Sequence, residues 1–192
     1  MELRKKIILG SASPRRKSLL EQMGIVFETR VMETDESFPS HLEAGDIPEY
    51  LALQKGNVQK HLLQENEILI TADTIVWHHQ NVYNKPADAA EAFDMLSRLS
   101  GESHEVYTAI ALTGKDEQIS ACDRTEVRFR ELSPEEIHFY IKHYAPFDKA
   151  GAYGAQDWLG LTAITSLRGS YFTVMGLPTH LLYRLLQPYI HI

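Results

Sequence analysis

Apolar positions along the chain alternate between short runs of strand type and longer stripes of helical type. The run Ile7-Ile8-Leu9 ends at Gly10 and predicts a strand; a helix follows with Ser13 as N-cap and Pro14 in the first turn, where proline's fixed φ and missing N–H cost little. Val26 to Val31 reads as a second strand, followed by an acidic loop, Glu33 to Pro39. A helix is predicted from near Asp46, with Pro48 early, Glu49 closing a capping box, and an apolar stripe of Ile47, Leu51, Val58 and Leu62 on which Lys55 also falls. Glu67 to Ala72 is a strongly apolar strand that delivers Asp73 and Thr74 at its end, and Ile75 to Tyr83 reads as a hairpin turning at Gln80-Asn81.

The second half continues the alternation. A helix from Asp88 to Leu99 stops at Ser100-Gly101, and two long strands cover Val106 to Thr113 and Ile119 to Arg130. Ser133-Pro134-Glu135-Glu136 is a capping box that opens a helix with Ile137, Tyr140, Ile141 and Tyr144 on one face. Leu161 to Val174 reads as a final strand pair, and Pro178 begins a last helix with Leu181, Leu182, Leu185 and Leu186 inward. Strands alternating with helices, without repeats or a linker, predict an α/β fold in a single domain over residues 1–192.

Composition narrows the functional classes. At 44% hydrophobic and 23% charged residues the chain can bury one sizeable core. Its single cysteine, Cys122, excludes an internal disulfide, and with no signal-type or membrane-length apolar segment the expected compartment is the cytoplasm. A net charge of −7 argues against a nucleic-acid surface, although a few converging cations can still bind a nucleotide.

Such a convergence is present at Ser11-Ala12-Ser13-Pro14-Arg15-Arg16, where a helix start offers unpaired backbone N–H groups, two hydroxyls and two guanidinium groups. Helix N-termini favour anions and arginine matches phosphate oxygens bidentately, so the cluster reads as a phosphate cradle; the alternative is a capped surface helix with two solvated arginines. Asp73 falls where α/β sheets place ligand-binding groups, though a strand-end aspartate also forms turns. Taken alone, Lys55 reads as a snorkelling side chain, Asp35 and Glu36 as loop solubilisers, and Lys85 before Pro86 as an ordinary loop residue. In Asp148 to Gln156, glycines and alanines surround one lysine, one tyrosine and one glutamine; they admit close approach of another backbone or a ligand, and Gln156 offers both donor and acceptor to a base edge.

The nine histidines show no zinc spacing: His78 and His79 are adjacent and expected on opposite faces of a strand, and His138 and His143 are five apart. Asp35, Glu36 and Asp73 suit Mg2+ or Mn2+ instead. Neither a serine–histidine–aspartate triad nor a Walker-type loop is visible.

Taken in order, Ser11 to Arg16, Asp35-Glu36, Lys55, Ala72-Asp73-Thr74, Lys85-Pro86-Ala87-Asp88, Leu99-Ser100-Gly101, Asp148 to Gln156, Gly169-Ser170-Tyr171 and Gly176-Leu177-Pro178 resemble the Maf family of nucleoside triphosphate pyrophosphatases, from residue 7 to about residue 187. The resemblance implies a long mixed sheet flanked by helices, two lobes with a central cleft similar to inosine triphosphate pyrophosphatases, a homodimer, and metal-dependent cleavage of a nucleoside triphosphate to the monophosphate and pyrophosphate. It implies Asp73 as catalytic residue, Ser11, Arg15, Arg16, Lys55, Lys85 and Gln156 as substrate-binding residues, and Glu36 with Asp73 at a Mg2+ or Mn2+ ion. Asp73 then either deprotonates the attacking water or orients it through the metal. Arg15, Thr74 and Gln156 resemble the branch that prefers dTTP and UTP, whereas Trp, Gln and Glu at these positions mark the 7-methyl-GTP branch. Thr71 stands where glycine is usual, and Thr173 and Met175 replace commoner residues. The family's association with inhibited septum formation leaves a non-enzymatic nucleotide-binding regulator as the alternative function.

Overall fold

The computed structural model describes residues 2–191. In chain order the elements are β1 (Glu2–Leu3), β2 (Lys6–Leu9), α1 (Pro14–Gln22), β3 (Phe27–Thr29), α2 (Asp46–Gln59), β4 (Glu67–His78), β5 (Asn81–Tyr83), α3 (Ala89–Leu99), β6 (Ser103–Thr113), β7 (Gln118–Phe129), α4 (Pro134–Tyr144), α5 (Trp158–Ala163), β8 (Ile164–Arg168), α6 (Tyr171–Val174), α7 (Thr179–Leu186) and β9 (Ile190–His191). Seven strands make one sheet in the order β3-β2-β4-β6-β7-β8, with β5 added to β4. It is a mixed sheet: β2 runs parallel to β3 and β4, while β5 and β8 are antiparallel to β4 and β7.

The chain divides into two compact units, residues 1–73, 108–123 and 176–192 in one and 74–107 and 124–175 in the other. In the first, the parallel register Ile7↔Ile68, Ile8↔Leu69, Leu9↔Ile70 buries six aliphatic side chains almost completely, which is why both runs are continuously apolar. In the second, Leu96, Leu99, Phe129, Tyr140 and Leu159 anchor a single core.

α4 begins as its sequence predicts, with Ser133 Oγ accepting from Glu136 N and Glu136 accepting from Ser133 N at 2.9 Å. Glu136 also takes a fork of bonds from Arg130 at 3.0 and 2.7 Å, and that pairing, helped by the Ser133 amide, pulls its pKa down to about 2. A carboxylate depressed in the folded state contributes stability that is fully present above the ordinary glutamate pKa and is lost as pH falls toward 2. Glu136→Gln should therefore lower the thermal midpoint at neutral pH, and the gap from wild type should close as both are acidified to near pH 2; a gap independent of pH would rule out this ion pair as its source.

The structure differs from the sequence pattern at α2, along the β4–β5 hairpin and over residues 161–174. Helix α2 starts at Asp46, so Asp46 is its first residue and no side chain caps it; the preceding turn supplies carbonyls instead, Glu43 O to Asp46 N and Ala44 O to Ile47 N, and Glu49 accepts from Ser120 Oγ at 2.6 Å. The α2 stripe is buried only at Ile47 and Leu51; Val58 and Leu62 are exposed. Strand β4 does not end before Asp73 but continues to His78, and the hairpin turns one residue early, at His79-Gln80, with His78 opposite Asn81. His79 thus leaves the strand with φ 47°, and its ring centroid lies 4.0 Å from that of His78 instead of on the opposite face. Finally, 161–174 is not a strand pair: Leu159 and Ala163 are buried at helical spacing in α5, β8 takes only Ile164–Arg168, and the chain re-enters a helical turn after Gly169, whose φ of 137° and closeness to Thr125 exclude a side chain.

Candidate active site

In the first unit, the loop after β2 and the start of α1 bring polar groups against β4. Ser13 Oγ caps the helix by accepting from Arg16 N, and Ser11 Oγ accepts from Ser13 N and from Arg16 Nη1, each at 3.2 Å. Arg16 is not a solvated surface arginine: its Nε donates to Gly176 O at 2.7 Å and its Nη1 to Ala72 O at 2.9 Å. It therefore fixes the helix start to the residue before Asp73. Burial lowers its pKa, against the opposing pull of Asp73, yet a guanidinium stays charged. Arg15 is half-buried beside it.

Lys55 does not snorkel to solvent. From α2 its Nζ donates to Asp73 Oδ1 at 2.6 Å and to Glu36 Oε1 at 2.8 Å, gathering a strand residue and a loop residue around one ammonium. Asp73 is 8% exposed. Burial raises its pKa, outweighing Lys55 and Arg16, which pull it down, and Glu36 adds to the rise. The carboxylate is thus a stronger proton acceptor than a solvated one. Thr71, also buried, donates from Oγ1 to Ala52 O at 2.7 Å and ties β4 to the helix that carries Lys55. Asp35 instead closes a local turn by accepting from Ser37 N and Ser37 Oγ.

Thr74, Lys85 and Gln156 belong to the second unit. Thr74 follows Asp73 in β4, so the pleat turns the two side chains to opposite faces, and Lys85 lies exposed in the loop before Pro86. Gln156 is half-buried, and its Oε1 is a buried acceptor with no hydrogen-bond partner. The segment before it is held rigidly. Gly151 N donates to Asn84 O at 3.1 Å, and with φ 67° the glycine sits so close to Val76 that a Cβ would come within 2.8 Å of it. Small residues here thus serve packing, one of the two uses their sequence allowed.

A network that sequence reasoning missed anchors the same segment. Tyr140 accepts from Gly154 N at 3.1 Å and donates to Asp157 Oδ2 at 3.0 Å, Lys149 bridges Asp148 and Asp157 at 2.7 and 3.5 Å, and Tyr153 OH meets His104 Nε2 at 2.8 Å. Burial holds His104 neutral, its pKa down to about 3, and pushes the Tyr140 hydroxyl up, so it remains a donor. The available signal was a hydroxyl on the apolar face of α4, indistinguishable in sequence from core. Among the described residues, one group of three His, Cys, Asp or Glu side chains could share an ion: His78, His79 and Glu102.

The family described as Maf-like protein matches residues 6–189. The chain belongs to the Maf family. Curated relatives agree along nearly the whole length. A dTTP/UTP pyrophosphatase of Bacteroides fragilis is 44% identical over 96% of this chain and 96% of its own, and that of Phocaeicola vulgatus 46% over 93% of each. The Flavobacterium johnsoniae dTTP/UTP pyrophosphatase is 44% identical over 94% of this chain and 93% of that one. A solved nucleoside-triphosphatase, dITP/XTP pyrophosphatase, from Mycobacterium abscessus is similar at 16% identity and a TM-score of 0.47 over 94% of this chain and 92% of that one, a likeness that bears on neither substrate nor mechanism. No helix among the described residues is long and apolar enough to cross a membrane.

Proposed function

We propose that this Maf protein hydrolyses dTTP and UTP, with other pyrimidine nucleoside triphosphates in range, to the monophosphate and pyrophosphate. The observation that carries the reading is the Lys55–Asp73–Glu36 cluster, a buried carboxylate with a raised pKa held at 2.6 Å from an ammonium and next in sequence to the Ala72 carbonyl that Arg16 grips. Phosphoryl transfer needs chiefly positioning and charge neutralisation, and this set supplies both.

In the reaction Asp73 takes a proton from water, the water oxygen bonds to the α-phosphorus, and the bond from that phosphorus to the bridging oxygen breaks, with pyrophosphate leaving. Arg15, Arg16, Lys55 and Lys85 neutralise and hold the triphosphate, and the Ser11 hydroxyl helps to orient it. Glu36 Oε1 and Asp73 Oδ1 both face the Lys55 ammonium, and these two hard oxygens, together with substrate phosphates, would hold Mg2+ or Mn2+. Such an ion would supply neutralisation of phosphate charge and a more acidic water. On the base, the unpartnered Gln156 Oε1 accepts from the N3–H of thymine or uracil while its amide donates to a ring carbonyl. Free nucleotides in the cytoplasm fit the net charge of −7 better than nucleic acid does, and the family resemblance supports a homodimer.

Hydrolysis of dTTP in oxygen-18 water tests the bond broken. The label should enter dTMP, with unlabelled pyrophosphate. Label in orthophosphate, with dTDP as the partner product, would overturn the reading.

A further inference from the structure

The β4–β5 hairpin carries chemistry that the nucleotide site does not use. Its two loop residues, His79 and Gln80, both hold a left-handed backbone, at φ 47° and 62°. Loops of this kind favour Asn-Gly because both positions need positive φ, so a His-Gln pair accepts strain, and such strain collects where a side chain must be aimed. Here it sets the His79 ring 4.0 Å from the ring of His78, and Asn81 Nδ2 holds the loop by donating to His79 O at 2.7 Å.

Glu102 reaches the same place from the exit of α3. Gly101 turns the chain at φ 71°, Glu102 N donates to Leu99 O at 3.2 Å, and Glu102 O accepts from Phe129 N at 3.0 Å, so its backbone is fixed on both sides. His78 is 5% exposed, and neither of its ring nitrogens has a hydrogen-bond partner. A buried imidazole with both nitrogens unsatisfied is a standing cost to the fold that a ligand would relieve. One donor atom from each of His78, His79 and Glu102 lies within 4.8 Å of the others.

We propose that His78, His79 and Glu102 form a binding site for a divalent transition-metal cation, Zn2+ by preference. Two imidazoles and a carboxylate with water as fourth ligand match zinc, whereas Mg2+ and Mn2+ prefer the all-oxygen set of Glu36 and Asp73. Donors on a tetrahedral zinc stand about 3.4 Å apart, given bonds of about 2.1 Å. The buried His78 is the fixed ligand; His79 and Glu102, both exposed, close onto the ion by side-chain rotation. The ion ties the tip of the β4–β5 hairpin to the residue before β6, within the second unit.

The test is zinc titration of the full chain by calorimetry with excess Mg2+ present, paired with thermal denaturation. About one zinc per chain should bind, and zinc at about a hundred times its Kd should raise the midpoint by roughly 5–10 °C. His79→Asn, which tolerates the left-handed backbone, and Glu102→Gln, which keeps the side-chain shape, should each weaken zinc at least about tenfold and together about a hundredfold or more, with dTTP hydrolysis in zinc-free buffer unchanged. The nitrogen resonances of His78 and His79 should move on zinc addition in wild type. Zinc binding retained at full strength by the double variant, or no zinc-dependent change in wild type, overturns the site. The readout is binding and spectroscopy, so it stands apart from the outcome of the hydrolysis experiments.

Discussion

Asp73→Asn is expected to cut pyrophosphate release by about a hundredfold to a thousandfold while dTTP binding stays within a few fold of wild type. The amide keeps the shape and the acceptor oxygen facing Lys55 Nζ, now 2.6 Å from Oδ1, but removes the proton-accepting charge. Loss of a group acting only in the transition state commonly costs about 3–4 kcal/mol, and it appears in kcat with little change in ground-state binding. Stability should move the other way. Folding raises the Asp73 pKa through burial, so the contribution of this group is fully present below its unfolded pKa and is lost as pH rises through the folded one. A neutral amide avoids that loss, and Lys55 keeps Glu36 at 2.8 Å. The variant should thus melt above wild type near pH 8, with the difference shrinking on acidification. Near-normal turnover would remove Asp73 from the chemistry; a midpoint below wild type near pH 8 would mean that the Lys55 pairing outweighs the burial of charge.

Changing Arg15→Trp, Thr74→Gln and Gln156→Glu together should lower kcat/KM for dTTP relative to 7-methyl-GTP by on the order of a hundredfold or more. A site that leaves buried hydrogen-bonding groups unpaired rejects a base far more strongly than one that fits loosely. Gln156 presents a buried acceptor, Oε1, and an amide donor on a segment whose backbone is pinned on either side through Tyr140, Gly154 and Asp157. An ionised glutamate there only accepts, and no longer matches a ring carbonyl of uracil or thymine. The comparison is made as a ratio of efficiencies for the two nucleotides. A ratio that the triple change leaves intact would mean that the base is selected elsewhere.

Much of this was legible in the chain order. Continuous apolar runs such as Ile7-Ile8-Leu9 announced strands buried on both faces, the Ser133-Glu136 box announced the start of α4, and the Ser11 to Arg16 cluster announced a helix start rich in donors, because periodicity and capping act within a few residues. The same locality explains the misreadings. Pattern alone ends the twelve-residue β4 at Asp73 because a charge inside a strand reads as an end, and it gives the second half of α5, from Leu161, as strand because six residues carry too little helical period.

Sequence by itself determined the family, the mixed α/β class and the residue types at the candidate site, since each is written in local pattern and ordered motif. Tertiary structure alone decided what those residues do for one another. Taken alone, Lys55 reads as a snorkelling cation, yet Asp73 and Glu36, from a different strand and loop, close on its ammonium; Arg16 reads as a phosphate ligand or a solvated arginine, and the carbonyls of Ala72 and Gly176, far along the chain, take its donors. Two adjacent histidines read as opposed until a left-handed turn set their rings side by side. Burial and pairing depend on which distant segments meet, and the free energy of a charge is set by that meeting more than by the residues beside it in the chain.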